Sequence, residues 1–297
     1  MRLRAPTIVD LPELARFFGV LDEIYGYDGA SDAELRDWLE SPLFDPAADF
    51  CVALDGDRLV GWCDVWDQNS MHTRFFADIR AHPRTPGVYA ALFDWACERA
   101  QSVAEPDAVL RVSANSENEA LAEQVRSRGF RLERHFFTME IDLDEEPPAP
   151  VWPDGISVWT FRPEDARAVY EANSEAFADH WDFVPLSFEE WTEFFLRSSE
   201  FDPTLWFIAE EGAEIAGYSL CRSERRPDTG YVNILGVRRP WRRRGLAHNL
   251  LLHSFHALRR RARRLDGSPS TWRASRAAKA TSDLNTVVVV GQLAFFL

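Results

Sequence analysis

Length, composition and charge exclude several classes of protein. The chain has 297 residues, of which 46% are hydrophobic and 27% are charged, as in folded globular proteins. No apolar run reaches the length of about 18 residues that a membrane span needs, and the first residues lack the apolar core of a signal peptide. The four cysteines have no CxxC spacing, which favours buried, reduced thiols in a cytoplasmic protein.

The net charge of −15 is unevenly distributed along the chain. Residues 230–297 hold 13 basic and 2 acidic residues, so one positive segment lies in an otherwise acidic molecule. Such a segment suits a small polyanionic ligand. The acidic remainder disfavours duplex nucleic acid and favours a cationic substrate such as an amine.

The first half of the chain predicts alternating helices and strands. Asp10 and the glycine at 129 supply the chemistry with which helices begin and end. The predicted elements are, in order, a strand at 3–4, a helix over 13–18, a hairpin with its turn at 55–57, a helix over 88–104, a strand over 109–112, a helix over 118–128 and a strand pair within 130–143.

A proline-rich segment divides the chain. Residues 145–150 read Glu-Glu-Pro-Pro-Ala-Pro, which cannot form a helix or a central strand. We therefore predict a first domain over 1–145, a linker over 146–150 and a second domain over 151–297.

The two sides of this linker resemble each other. Each has a short strand, a helix, a hairpin, a further strand and a loop that leads into a helix. A nearly constant separation of matching residues indicates a duplicated domain. The matching pairs are 156, 157 and 158 positions apart, namely Gly61 and Gly217, Pro83 and Pro240, and Gly87 and Gly245.

The second copy contains the most informative stretch. A strand rich in β-branched residues, Tyr231 to Val237, is followed by a loop with three consecutive arginines and Gly245. The next residues predict a helix, because they place apolar side chains on one helical face. A helix N-terminus with added arginines is a site for an anion, most naturally a phosphate or pyrophosphate.

These features together resemble the GNAT acyltransferase superfamily, in the tandem arrangement of mycothiol synthase-like proteins. The loop Arg242-Arg-Arg-Gly-Leu-Ala247 matches that family's (Gln/Arg)-x-x-Gly-x-(Gly/Ala) motif. The resemblance implies an α/β fold of two tandem GNAT-type domains, each a mixed, mostly antiparallel sheet flanked by helices. It also implies that coenzyme A is held by the strand edge and the loop, at Leu235, Gly236, Val237, Arg242, Arg243, Arg244, Gly245, Leu246 and Ala247.

The implied activity is that of an N-acyltransferase, with acetyl-CoA as the expected donor and a small primary amine attacking the thioester directly. Tyr231 and Asn233 share one strand face by alternation, so they are candidates for the acceptor side, with ordinary sheet packing as the alternative. His180 is a candidate base, with a surface histidine as the alternative. A catalytically silent acyl-CoA-binding or structural protein is the alternative function.

Two segments depart from the family's pattern. The matching loop of the first domain contains Pro86 and Tyr89 in place of an amide donor and a small residue, so we expect that domain to be structural or to shape the substrate site. Residues 266–286 show no hydrophobic periodicity where the family has a strand and a tyrosine-bearing helix. Out-of-frame translation and a divergent tail both explain this.

The remaining expectations concern ligands and assembly. Histidines 248, 253 and 256 lack the spacing and the acidic or thiol partners of a metal site, so we predict no metal. We expect acyl-CoA and an amine as partners, without nucleic acid or membrane, in a cytoplasmic monomer or homodimer.

Overall fold

The structure is a computed structural model that describes residues 1–25, 30–85, 87–115, 117–136, 140–143, 145–181, 183–223, 229–266, 273–275 and 286–292. Its helices are α1 (Leu11–Tyr25), α2 (Asp32–Glu40), α3 (Pro46–Asp49), α4 (Val88–Gln101), α5 (Glu119–Ser127), α6 (Ala166–Phe177), α7 (Phe188–Leu196) and α8 (Leu246–Asp266). Its strands are β1 (Arg2–Arg4), β2 (Phe50–Asp55), β3 (Arg58–Asp67), β4 (Arg74–Ala81), β5 (Val109–Ala114), β6 (Arg131–Phe136), β7 (Glu140–Asp142), β8 (Ile156–Thr160), β9 (Trp206–Glu211), β10 (Glu214–Ser223), β11 (Thr229–Val237), β12 (Arg273–Ser275) and β13 (Thr286–Gln292).

The chain forms two compact units. The first comprises Met1–Thr138 with Ala280–Leu297, and the second comprises Met139–Lys279. The first contains a sheet in the order β1-β2-β3-β4-β5-β13-β6, and the second a sheet in the order β7-β12-β11-β10-β9-β8. Both sheets share one plan, in which four antiparallel strands in sequence are followed by a fifth strand parallel to the fourth. This shared plan confirms the predicted fold class.

In the first unit, helices cover both faces of the sheet. One buried cluster lies under α4 and includes Leu92, Phe93 and Leu110, all with no exposed surface. The other lies under α1 and α2 and includes Phe18 and Trp62, whose rings meet edge to face 5.8 Å apart. Apolar residues spaced three and four apart along each helix produce these two cores.

In the second unit, α6 and α7 cover one face of the sheet and α8 covers the other. The α8 core is built by the apolar stripe seen in the sequence, with Leu246, Leu250, Phe255 and Leu258 at most 3% exposed. The opposite core places Trp191 of α7 against the sheet. Among the described residues, no helix combines the length and apolar character of a membrane span.

Two strands lie in a different sheet from the one that the predicted domain limits imply. β7 pairs with β12 in the second unit, although it falls within the predicted first domain. β13 pairs with β5 and β6 in the first unit, although it falls within the predicted second domain. Residues 287–290 are four consecutive valines, and a β-branched run favours a strand without selecting its partner. Most of the predicted abnormal segment 266–286 lies outside the described residues.

All four cysteines are free thiols. Cys51, Cys63 and Cys221 are buried, as predicted, and Cys97 is half-buried. Burial raises the pKa of Cys51 to about 12, so its thiolate is scarce at neutral pH.

An ion pair fixes the start of α1 in the first unit and makes a pH-dependent prediction. Hydrogen bonds from Arg4 lower the pKa of the Asp10 carboxyl to about 2, with burial opposing and Thr7 adding to the shift. Because the pKa of Asp10 is lower in the folded state, its ionised carboxylate stabilises the fold at pH values above the unfolded pKa, which is near 3.8. This stabilisation is lost as the pH falls towards 2.

We therefore expect Asp10→Asn to lower the free energy of unfolding by about 1 kcal/mol at pH 7, after allowance for solvent screening. At pH 3 the difference should fall to about half of that value. Urea denaturation at both pH values measures it, with Asp57→Asn in the exposed β2–β3 turn as the control. An equal loss at pH 7 and pH 3 would contradict the assignment to the ionised carboxyl.

Candidate active site

The predicted loop follows β11 and reverses the chain into α8. A 3-10 turn at Arg239–Trp241 comes first, and residues 242–245 then lead to the first helical residue, Leu246. Arg243 and Gly245 have φ angles of 64° and 81°, in the left-handed region. A Cβ at position 245 would meet only the Asn249 amide, at 3.7 Å, so lack of space is not the reason for a glycine. The reason is the left-handed φ angle, which glycine adopts without strain.

The N-terminus of α8 is open to an anion. The N–H groups of its first turn have no acceptor within the helix, and no described side chain accepts a hydrogen bond from them. The helix has no acidic residue in its first turn. Asn249 is held elsewhere, because its Nδ2 donates to the Gly245 carbonyl at 3.0 Å and its Oδ1 accepts from Val151 N–H at 2.7 Å. These orphan donors and the helix dipole together favour a negatively charged ligand.

The three loop arginines have different roles. Arg242 donates to the carbonyl oxygens of Val237 and Ala176, at 3.0 and 2.9 Å, and pairs with Asp179 at 2.9 Å. Arg244 pairs with Glu211 at 2.7 Å. Arg242 and Arg244 therefore tie the loop to its own unit.

Those ion pairs leave one arginine for a ligand. Arg243 is exposed and makes no ion pair or hydrogen bond within the described part of the chain. The carboxylates are held ionised, since Arg239 and then Arg242 lower the pKa of Asp179, and Arg244 lowers the pKa of Glu211. Of the three arginines that the sequence offered, the structure leaves Arg243 available to a phosphate.

This difference predicts unequal effects of two substitutions. Arg243→Ala should weaken acetyl-CoA binding about tenfold, the equivalent of about 1.4 kcal/mol for one charge-assisted contact. Arg244→Ala, the matched control, should weaken it less than threefold because its guanidinium is already neutralised by Glu211. Calorimetric titration with acetyl-CoA at low and high salt measures both. Equal losses would contradict the assignment.

The edge of β11 beside this loop is open. β12 pairs with β11 only at Thr229, Gly230 and Tyr231. From Val232 to Val237, no described strand pairs with that edge, so its backbone groups can accept a further extended chain. This is the strand edge that the sequence predicted for a coenzyme arm.

A β-bulge interrupts β11 where this open edge begins. Leu220 of β10 faces Ile234 and Cys221 faces Val232, so Asn233 is the extra residue between them. A bulge turns a side chain and a peptide unit out of the regular ladder. Tyr231 and Asn233 both lie on the sheet face covered by α6 and α7, as the alternation predicted.

Gly236 has a structural reason to be glycine. A Cβ there would lie 2.1 Å from the Tyr218 hydroxyl oxygen. Tyr218 is fully buried and donates to Asn173 Oδ1 at 3.2 Å. Gly236 therefore makes room for a core tyrosine that crosses under β11.

A small pocket of about 80 Å³ opens beside the bulge. Asn233 lines it, and aromatic residues of α7 and β9 form its apolar wall. Glu200 and Arg222 also line it and form an ion pair with each other. The Arg222 guanidinium lies 5.0 Å from the centre of the Tyr231 ring. The structure thus brings Tyr231 and Asn233 together through Arg222.

Glu200 and Arg222 could not be recognised as site residues from the sequence. They lie 22 positions apart, in a connection after α7 and at the end of β10, and no motif marks either of them. Their pairing depends on how α7 packs on the sheet.

His180 lies elsewhere in the unit. Its ring packs 5.7 Å from that of Phe177, and its Nδ1 lies 3.2 Å from the Trp181 carbonyl oxygen. The preceding residue, Asp179, binds Arg239 and Arg242, so His180 is at the loop end of the sheet. The bulge is about 13 Å back along β11, at about 3.3 Å per residue. Among the described residues, no contact joins His180 to the pocket, and its role as a base stays a prediction.

Two of the three histidines of α8 have other partners. His253 packs between the rings of Trp152 and Phe207, and His256 Nε2 lies 3.1 Å from the Pro148 carbonyl oxygen. Within the described ranges, no three His, Cys, Asp or Glu side chains are grouped as metal ligands.

The part of the chain that carries this site resembles known proteins. Residues 166–271 match the model of the Acetyltransferase (GNAT) family, a range that contains α6, β11, the loop and α8. The unit that carries the candidate site is therefore similar to the GNAT acetyltransferases. The chain is 35% identical over 168 residues to the mycothiol acetyltransferase of Catenulispora acidiphila, covering 55% of the chain and 51% of that relative. It is 31% identical over 189 residues to the mycothiol acetyltransferase of Streptomyces scabiei, covering 62% and 58%.

Solved GNAT structures share the fold of this chain. The GCN5-related N-acetyltransferase from Sphaerobacter thermophilus is 27% identical, with a TM-score of 0.76 over 98% of this chain and 95% of its own. A tandem GNAT protein from the clavulanic acid biosynthesis pathway shares the fold at 17% identity, with a TM-score of 0.71 over 99% of both chains. These matches confirm the predicted tandem GNAT fold, whereas the chain spans only about half the length of the curated relatives in its sequence matches.

Proposed function

We propose that the second unit is an acyl-CoA-dependent N-acyltransferase that uses acetyl-CoA and acts on a small primary amine. One observation carries the proposal: the donor-rich N-terminus of α8 is continuous with the open edge of a bulged strand. A diphosphate suits the first feature, and an extended amide-containing arm suits the second. The two features lie end to end, as the parts of coenzyme A do.

Different residues of the second unit would bind different parts of the coenzyme. Arg243 and the N–H groups from Arg244 to Ala247 would hold the diphosphate, and the backbone of Leu235, Gly236 and Val237 would pair with the arm. Arg242 and Arg244 would keep the loop in shape through Asp179 and Glu211. The thioester would then lie at the bulge, beside Asn233.

The chemistry requires no covalent enzyme intermediate. The neutral amine nitrogen attacks the thioester carbonyl carbon, forming a C–N bond and a tetrahedral oxyanion that a backbone N–H at the bulge can stabilise. The C–S bond then breaks, the amine loses one proton, and the leaving thiolate takes one. We propose that the Tyr231 hydroxyl supplies the proton to sulfur and Asn233 orients the acceptor.

The pocket supports an amine as acceptor. Its wall includes aromatic side chains against which the acceptor can pack, and Glu200 offers a carboxylate beside Arg222. The surrounding acidic chain favours the approach of a cation. The relatives are named mycothiol acetyltransferases, so an amine precursor of mycothiol is one acceptor to test.

We propose that the first unit has no open anion site at the corresponding loop. Tyr89 stands where the second unit has Ala247, and it is buried. Its hydroxyl donates to the Ala81 carbonyl at 3.0 Å and accepts from Asn118 Nδ2 at 2.7 Å. The ring therefore spans from the first turn of α4 to the end of β4 and fills the gap that the second unit leaves open. The predicted role of Pro86 lies outside the described residues.

The test is the release of free coenzyme A from acetyl-CoA in the presence of an amine panel, followed with a thiol reagent. We expect release that depends on both the enzyme and one class of amine, and the acetylated amine by mass spectrometry. A tertiary-amine version of the best acceptor is the matched control, because it lacks the N–H that must be lost. Release that does not require an amine would contradict acyl transfer.

A catalytically silent acyl-CoA-binding protein is the second candidate. It is favoured by the ion pair that already engages Glu200, a carboxylate of the pocket that Asn233 lines, with Arg222. This candidate predicts saturable acetyl-CoA binding without turnover across the whole panel. The binding and release assays together separate the two functions.

A further inference from the structure

A second concave site lies on the second unit, along α8. We call it the α8 groove, and it is lined chiefly by Leu205, Phe207, His253, Ala257, Arg260 and Arg261. Its volume is about 520 Å³, within the range that holds a small organic ligand. It is reached from the β8–β9 side of the helix. Arg260 is 14 residues beyond Leu246, or about 21 Å along the helix axis from the loop.

The floor of the groove is apolar and partly aromatic. Leu205, Phe207 and Ala257 are 3%, 4% and 9% exposed. The imidazole of His253 meets the Phe207 ring edge to face, with ring centres 4.6 Å apart. Its other neighbour is Trp152, with ring centres 5.8 Å apart. Such a floor suits a flat apolar body better than a sugar or a nucleotide ribose.

The rim of the groove is cationic. Arg260 is exposed and has no ion pair or hydrogen bond with any described residue. Arg261 pairs with Asp202 through one terminal nitrogen at 2.5 Å. Its Nε is buried and donates to no described acceptor. Because this Nε is closed to solvent, the exposed Arg260 guanidinium is the contact that the rim offers to a ligand oxygen.

The net charge of the rim suits a ligand that carries a single negative charge. Asp202 already neutralises Arg261, so Arg260 supplies the unbalanced positive charge. His253 adds none at neutral pH, because burial, and then the fields of Arg260 and His256, lower the pKa of its imidazole. A ligand with one negative charge therefore fits the rim better than a ligand with several, such as coenzyme A.

We propose that the α8 groove is a binding site for a small aromatic carboxylate, separate from the acyl-CoA site. The ring lies on Phe207, Leu205 and Ala257, and the carboxylate pairs with the exposed Arg260 guanidinium. This site goes beyond acyl transfer, since no residue of the loop or of the bulge contributes to it.

The test uses 2-naphthoate as the probe with the full chain. Calorimetric titration should show one saturable site with a Kd on the order of 10⁻⁴ M, as expected for one charged contact and one buried ring system. The NMR resonance of the His253 ring should shift with the same Kd. Saturating acetyl-CoA should leave that Kd unchanged.

Two variants locate the site. Arg260→Glu reverses an exposed charge and should weaken naphthoate binding at least tenfold. Ala257→Trp fills the floor and should abolish the binding, with thermal unfolding used to verify its fold. Arg36→Glu reverses an exposed arginine of α2 and should leave the binding unchanged.

Three results would overturn the proposal. The first is the absence of saturable binding. The second is displacement of naphthoate by acetyl-CoA, which would place the probe in the coenzyme site. The third is binding that survives Arg260→Glu, which remains informative even if Ala257→Trp fails to fold.

Discussion

Replacing Gly245 with tryptophan is expected to abolish acetyl-CoA binding, with a rise in Kd of at least about 100-fold. Two causes act together. The residue has a φ of 81°, which strains any side chain, and the space beside it is open, so the indole would stand over the N–H groups of the first turn of α8. Calorimetric titration with acetyl-CoA measures the loss.

Gly56→Trp is the matched control for this substitution. Gly56 has a φ of 62° and open space around it in the β2–β3 turn of the first unit. It therefore carries similar strain without covering the helix N-terminus. Acetyl-CoA binding by Gly245→Trp within threefold of the unchanged chain would contradict the proposed diphosphate site.

Replacing Tyr231 with phenylalanine is expected to lower kcat about 100-fold while the Kd for acetyl-CoA stays unchanged. The ring would remain against Arg222, and only the hydroxyl that we propose as the proton donor to sulfur would be lost. Steady-state kinetics with the best amine, together with calorimetric titration, separates this effect from a loss of binding.

Tyr170→Phe is the control for loss of a hydroxyl within the same unit, since Tyr170 donates to the Leu186 carbonyl at 2.8 Å and is not a pocket residue. It should retain kcat within about twofold. A kcat for Tyr231→Phe equal to that of Tyr170→Phe would show that the hydroxyl is not the acid.

His180→Gln tests the rival assignment of the base. If His180 removes the amine proton, the variant loses the acidic limb of the pH profile of kcat/KM. The position of His180 at the loop end of the sheet predicts that the limb remains.

The sequence predicted the parts of the fold that depend on local chemistry. The predicted helix over 118–128 matches α5, because the Asn118 side chain accepts a hydrogen bond from Leu121 N–H and so caps its start. Gly129 has a φ of 77°, as expected for a residue that ends a helix. The apolar stripe of α8 and the glycine of its loop could likewise be predicted from the sequence.

What the sequence did not show depends on partners distant in the chain. The ion pairs of Arg242 with Asp179 and Arg244 with Glu211 join residues 63 and 33 positions apart. The bulge at Asn233 is a register shift between two strands, and no residue type marks it. The pairing of β13 with the first sheet likewise depends on which edge is open, which a run of valines does not encode.

The structure also changed what the loop arginines mean. Three adjacent positive charges suggested three phosphate contacts, but two of those charges hold the loop to α6 and to β9. The backbone donors of α8 and Arg243 then carry the anion site. This division explains why the charge substitution and the glycine substitution should differ so widely in effect.

A crystal structure of the chain with acetyl-CoA tests the central claim most directly. We predict diphosphate oxygens within hydrogen-bond distance of the N–H groups from Arg244 to Ala247, and the thioester carbonyl beside the bulge at Asn233. Acetyl-CoA bound at the α4 N-terminus of the first unit instead, or bound in the second unit with its thioester away from β11, would contradict the account.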